Sequence, residues 1–213
     1  NENDIFRVIC VCHIDVDIDL LMRRYQEAKC VKFLTCVTDG IYPAMNSGIK
    51  ESTAGGFMFM GAGDLLEGNA HLDSIAFDRI NILTGSFMET KGKRKNTPSF
   101  RPTGDIYGLP LIPYHASIIY PRKVCGNLRY DEGKRIISDR IFTAAVYKML
   151  DLPICYVECL SVRIMPDGVS SSANYKMTHL TELLEFSIRF GKFASAMCIG
   201  LALITLAIQT RLG

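Results

Sequence analysis

The stretch that most limits what this chain can fold into runs from Asp39 to Asp64. Asp39-Gly40 marks a turn. Residues 43–52 then predict a short helix with Pro43 in its first turn, where a missing N–H is no loss. Met45 and Ile49 are four apart and share one face of that helix. Gly55-Gly56 ends it, and Phe57 to Met60 is a continuous apolar run, the pattern of a strand covered on both faces. Three small residues, Gly61-Ala62-Gly63, lead to Asp64 and let a ligand approach closely. In α/β proteins ligands bind outside the carboxyl ends of the strands. The segment therefore predicts an α/β fold with a carboxylate at its binding edge, although a solvated turn aspartate has the same local signature.

Composition narrows the class. A chain of 213 residues suits one domain with room for an appendage. Lys+Arg 24 against Asp+Glu 22 is nearly balanced, so nothing suggests nucleic-acid binding by bulk electrostatics. Cys10, Cys12, Cys155, Cys159 and Cys198 lie in apolar runs, as buried thiols of a reducing cytoplasm do. Cys10, Cys12 and His13 could begin a zinc site, but no second ligand pair has suitable spacing.

In chain order, Phe6 to Cys12 predicts a buried strand, and Ile18, Leu21, Met22 and Tyr25 a helix capped by Asp17. Asp15 and Asp19 flank that cap, where acidic residues suit the helix dipole. Cys30 to Val37 predicts a second strand, Asn69 to Asp78 a helix, and Ile80–Leu83 and Ser86–Met88 two short strands. Lys91 to Lys95, followed by Pro98, Pro102 and Gly104, has the composition of a solvated loop. His115 to Tyr120 predicts a strand. Ser138 then caps a helix reaching Leu150, with Phe142 and Val146 on one face and Asp139 in the first turn. Ile154 to Met165 is a strand or strand pair, and Asp167 to Ser172 a loop. Lys176 to Phe190 carries Leu180, Leu183, Leu184 and Ile188 on one stripe. Phe193 to Ile208 is uncharged but shorter than the roughly 20 residues a bilayer span needs. Membrane association is the favoured expectation for it, with packing on the domain the competing one.

The wording of the Asp39–Asp64 stretch resembles the family-two inverting glycosyltransferases of the GT-A fold that build bacterial surface polysaccharides. Members carry phrases like D-x-G-I-Y-D-A-M-N-K-G-I, then A-x-G-x-Y-I-x-F-L, then G-A-G-D. Here the chain reads D-G-I-Y-P-A-M-N-S-G-I-K, then A-G-G-F-M-F-M, then G-A-G-D. The match covers roughly 25 consecutive residues in order and spacing, which is more specific than a lone glycine motif. The resemblance implies a single GT-A-like domain over residues 1–192, with a mixed, mainly parallel sheet flanked by helices and apparently without the first strand–helix unit. Residues 193–213 would form a hydrophobic helical tail. It also implies sugar transfer, with inversion, from a nucleotide-diphosphate donor to a glycan or lipid-linked acceptor, in the cytoplasm or at the inner face of the membrane.

The same resemblance implies site residues. Asp139 corresponds to the catalytic base of an A-x-D-Y-D phrase at a helix start, and Asp64 to a carboxylate holding Mg²⁺ or Mn²⁺ at the diphosphate. Asp15, Asp39 and Asn46 fall on the donor side, Asn46 with an amide that both donates and accepts. His115 matches an H-Q-x-x-F-Y phrase on the acceptor or phosphate side. The chain departs from the family where Pro43 replaces an acidic residue, where Gly63 stands for a usual second carboxylate, and where Cys-His-Ile-Asp15-Val-Asp17 replaces a glycine-rich acidic phrase. The missing first unit and the altered acidic phrase keep open a non-catalytic sugar-nucleotide-binding protein, and the hydrophobic tail a membrane-tethered assembly protein.

Overall fold

The computed structural model describes residues 7–68, 75–90, 93–98, 111–125, 127–150, 153–165, 173–189, 191–192 and 196–203. Strands β1 (Val8–His13) and β2 (Val31–Cys36) pair in parallel, from Val8↔Val31 to His13↔Cys36. The crossover between them holds α1 (Ile18–Arg24), which Asp17 caps by accepting from the Leu20 N–H at 2.9 Å. Asp19 in its first turn and Arg23 and Arg24 in its last match the helix dipole. Helix α2 (Ile41–Glu51) starts two residues before the expected boundary, after Gly40 at φ 111°. Positive φ is the region only glycine adopts without a Cβ clash.

The remaining strands among the described residues form two four-stranded sheets. One has the order β3–β8–β5–β9, from Gly56–Phe57, Ile118–Pro121, Ile80–Leu83 and Ile154–Val157. Here β5 runs parallel to β9 and antiparallel to β8. The other has the order β4–β10–β6–β7, from Leu65–Gly68, Leu160–Ile164, Phe87–Thr90 and Lys93–Asn96. Further helices among the described residues are α3 (Arg122–Cys125), α4 (Ser138–Leu150) and α5 (Ala173–Arg189). Residues 196–203 are also helical.

Several expectations change. The apolar run 57–60 is a strand only at Gly56–Phe57, and Met60 is exposed. The run is not covered on both faces because Met58, Phe59 and Met60 line a cavity. The basic run is no irregular loop: Lys93–Asn96 is an exposed edge strand antiparallel to β6, with the Arg94 guanidinium 3.9 Å over the Phe87 ring. Charged side chains are the usual protection of a sheet edge. His115–Ser117 is a turn of 3₁₀ helix feeding β8. Of the helix expected over 69–78, residues 69–74 lie outside the described residues, and residues 75–79 are turn and irregular chain. The loop at 167–172 also lies outside them. Ile188 is exposed, off the buried stripe that Leu183 anchors.

The core explains why these elements meet. Tyr42 and Ile49 of α2, and Phe142 and Val146 of α4, close over Ile80, Ile82, Ile118 and Tyr120 of the sheet. Burying each such side chain contributes about 1.5–3 kcal/mol. Tyr130 lies in the middle, stacked on Phe142 at 4.3 Å and on Tyr42 at 5.5 Å, with Phe59 edge-on at 5.4 Å. A second cluster joins Leu83, Ile119, Leu160 and Val162 between the sheets. A third joins Ile137, Leu183 and Ile199, so the described part of the tail packs on α4 and α5. Among the described residues no helix is long and apolar enough to cross a membrane.

Asn46 fastens α2 to the segment that carries Tyr130. Its amide donates to the Tyr130 carbonyl at 3.0 Å and to Glu132 Oε1 at 2.8 Å, and accepts from the Tyr130 N–H at 2.8 Å. Buried donors and acceptors stripped of a partner cost about 1–3 kcal/mol each. Asn46→Ala should therefore lower the unfolding free energy by about 2–4 kcal/mol in urea titrations. An unchanged midpoint would mean that these bonds do not hold α2 in place.

Candidate active site

A cavity of about 1930 Å³ opens between α2, the β3 segment, the start of α4 and the ends of β6 and β10. Small-molecule sites are usually about 300–1,000 Å³, so two ligands have room together. Asp64, His115 and Asp139 all face it, as do Tyr42, Lys95, Arg135 and Arg140.

Asp64 does not end a strand. It closes a tight turn immediately before β4, its Oδ2 accepting from the Gly61 N–H at 2.8 Å. Its Oδ1 accepts from the Met165 N–H at 3.0 Å, just past β10. Gly63 lies in this turn at φ 93°, which explains the glycine there. Each carboxylate oxygen thus takes one backbone donor and keeps a lone pair directed elsewhere. That donor set fits Mg²⁺ or Mn²⁺ held by one carboxylate, with phosphate oxygens and water completing the shell. No group of three ligating side chains occurs among the described residues.

Asp139 sits in the first turn of α4, and its Oδ1 accepts from the Arg140 N–H at 2.7 Å. Its Oδ2 lies 3.3 Å from His115 Nδ1, and both side chains are about a quarter exposed. Burial opposes a charge on His115. The hydrogen bond and charge of Asp139, with the charge of Asp64 behind them, outweigh it and hold the imidazole pKa above its ordinary value. The ring accordingly stands between the influences of two carboxylates from distant parts of the chain.

Ser138 is not the expected side-chain cap. It is the first helical residue, and its buried Oγ meets no partner among the described residues. The backbone ahead of α4 turns instead to Glu182 of α5. Glu182 Oε1 accepts from the Arg135 N–H at 2.6 Å, and Oε2 from the Ile136 and Ile137 N–H groups at 3.0 Å each. The Tyr42 hydroxyl donates to the Ile136 carbonyl at 2.6 Å. Burial first, and then the charge of Asp139, push the Tyr42 phenol far above its ordinary range. Sequence reasoning missed Glu182, since a glutamate on an amphipathic helix reads as its solvent face.

The other expected residues lie elsewhere. Asp15 and Asp39 follow the carboxyl ends of β1 and β2, and His13 links them: Nδ1 to Asp15 at 3.1 Å and Nε2 to Asp39 at 2.9 Å. Both carboxylates are almost fully exposed, and neither is among the residues that line the cavity. Asn46 is turned inward to Tyr130 and Glu132, so its amide is committed to the scaffold. Cys10 and Cys12 lie with their sulfurs 3.7 Å apart as free thiols. Burial first, and then its neighbour Cys12, push the Cys10 thiol up to about 11.

No family model matches this chain, and no curated protein sequence matches it. Solved structures do match in fold. One is S. aureus TarS, residues 1–349, in complex with UDP, at TM-score 0.56 and 16% identity over 84% of this chain and 56% of that one. Another is S. aureus TarS at TM-score 0.53 and 17% identity, over 84% of this chain and 34% of that one. The chain thus spans little more than half the length of the first structure and about a third of the second. Its mixed sheets flanked by helices share the α/β fold of those structures.

Proposed function

We propose that the chain transfers a sugar from a nucleotide-diphosphate donor to an acceptor hydroxyl with inversion at the anomeric carbon. The observation that carries this reading is that Asp64, His115 and Asp139 share one cavity, on a fold similar to that of a UDP-bound protein. Asp139 is the general base: its carboxylate takes the acceptor proton as the new carbon–oxygen bond forms and the bond to the diphosphate breaks. The Arg140 N–H and the His115 ring fix the plane of that carboxylate before the acceptor arrives. Asp64 is the residue that would hold Mg²⁺ or Mn²⁺, which supplies Lewis-acid neutralisation of the leaving diphosphate. Lys95, on β7 at the cavity wall, adds positive charge on the side of the donor phosphates.

Asp15 and Asp39 are assigned to the nucleoside end of the donor, beyond the cavity and at the carboxyl edge of the parallel pair β1–β2. The acceptor is a glycan or lipid-linked alcohol in surface polysaccharide assembly, at the cytoplasmic side of the membrane. A non-catalytic sugar-nucleotide-binding protein is the second reading, favoured by the engagement of both Asp15 and Asp39 with His13. Saturable UDP binding without turnover of any UDP-sugar would select it.

Three outcomes test the assignment. Asp139→Asn keeps the shape of the helix start but cannot accept a proton, so transfer from a UDP-sugar should fall about 10²–10⁴-fold with donor affinity nearly unchanged. Full activity in that variant would remove Asp139 as the base. Asp64→Asn should abolish Mn²⁺-dependent UDP binding in calorimetry while the circular dichroism spectrum stays the same. Binding that persists would take the cation away from Asp64.

The third concerns pH. Because the folded-state pKa of His115 is raised, the charged ring stabilises the fold fully below the ordinary histidine value of about 6.5. That contribution is lost as pH rises through the folded value. The stability margin of the wild type over His115→Gln should therefore be largest in mild acid and shrink toward alkaline pH. A margin independent of pH would mean that the ring is not held charged by its neighbours.

A further inference from the structure

Asp139 can serve as a base only if the first turn of α4 is held still, and this turn lacks the usual means. Its own Ser138 hydroxyl makes no cap, and Ile137, the residue before it, has no polar side chain. The N–H groups of Arg135, Ile136 and Ile137 converge instead on one carboxylate, the pattern of an anion-binding nest. That carboxylate belongs to Glu182, about 45 residues later in the chain, and it is buried. Hydrogen bonds to a charged acceptor are the strong class, and three on one group fix its neighbours tightly.

The docking is reinforced on both sides of Glu182. Leu183 packs on Ile137 in the third core cluster, with Leu180 and Leu184 against it. Lys134 pairs with Glu185 one position upstream of the nest. On the far side, Tyr42 holds the Ile136 carbonyl. The backbone two to four residues before Asp139 is thus clamped between α5 and α2.

We infer that Glu182 is a positioning residue for Asp139, setting the α4 start so that the base carboxylate meets His115 and the cavity. This rests on the reading of Asp139 as the base. Glu182 faces the backbone, away from the reacting atoms, so its effect on transfer passes entirely through the place of Asp139.

The test is a double-mutant cycle on the full chain with a UDP-sugar as probe. Glu182→Gln keeps size and one acceptor oxygen but gives up the charge and places an NH₂ against an N–H. It should lower kcat at least tenfold with KM for the donor little changed, and Glu182→Asp should recover part of the loss. In an Asp139→Asn background Glu182→Gln should cost nothing further, because the group it positions is already disabled. Additive losses would overturn the inference while leaving Asp139 as the base. Full transfer by Asp139→Asn alone would instead end the base reading.

A substrate-free readout accompanies it. The chain has four histidines, so ring proton signals followed by NMR over pH, with His115→Gln for assignment, isolate His115. Asp139→Asn should lower the His115 titration, and folded Glu182→Gln should move it the same way. A folded Glu182→Gln protein whose His115 titrates as in the wild type would overturn the inference. So would failure of both Glu182 variants to fold, which would make Glu182 a folding residue.

Discussion

Three consecutive backbone N–H groups ahead of α4 need an acceptor, and how the chain meets that need governs much of this molecule. Where a serine or aspartate would serve most helices, the chain ahead of α4 bends around a buried carboxylate from α5. That choice requires α5 to lie across Lys134–Ile141, which in turn makes Leu183 and Ile199 core residues. It brings Arg135 and Asp139 to the cavity wall. Tyr42 and Asn46 extend the same logic to α2, one bonding the Ile136 carbonyl and the other the Tyr130 backbone. Two helices and a connecting segment are therefore set by polar contacts within an apolar surround, where such contacts are strongest.

The two clusters of acid and histidine differ in what their surroundings make of them. His13, Asp15 and Asp39 lie in solvent, where pairing of exposed charges is worth little and is screened by salt. His115 and Asp139 make a similar pair in the cavity wall, each about a quarter exposed, and there the bond and charge of Asp139 outweigh burial and raise the imidazole pKa. The same residue types thus form a loose clasp at one sheet edge and a tuned pair in the cavity.

Much of the scaffold was legible in the sequence because its cues are local. The Asp17 cap, the shared face of Met45 and Ile49, the strand at Ile80–Leu83 and the two strands β9 and β10 follow from spacing within a few residues. The Asp64–His115–Asp139 grouping was legible only through the resemblance of short phrases, since periodicity cannot bring residues 64, 115 and 139 together. What escaped depends on partners far along the chain. Asn46 looks like a helix-surface amide until Tyr130 is folded over it, and Ser138 looks like a cap until Glu182 arrives. The run at 57–60 looks like a doubly covered strand, because an apolar side chain facing a cavity has the same composition as one facing a core.

Of the nine methionines in the chain, Met45, Met58, Met60, Met88 and Met165 line the candidate site's cavity. Unbranched thioethers re-pack around differently shaped ligands at little cost, so this wall can adapt where a wall of valine or isoleucine would select. The same sulfurs are open to oxidants, and Met60 and Met165 are the most accessible, at 40% and 44% exposure. Conversion of either to the sulfoxide would place a strong dipole and a new stereocentre on the wall, with Met165 directly beside the N–H that steadies Asp64. The pliability of this cavity and its vulnerability to peroxide have the same chemical source.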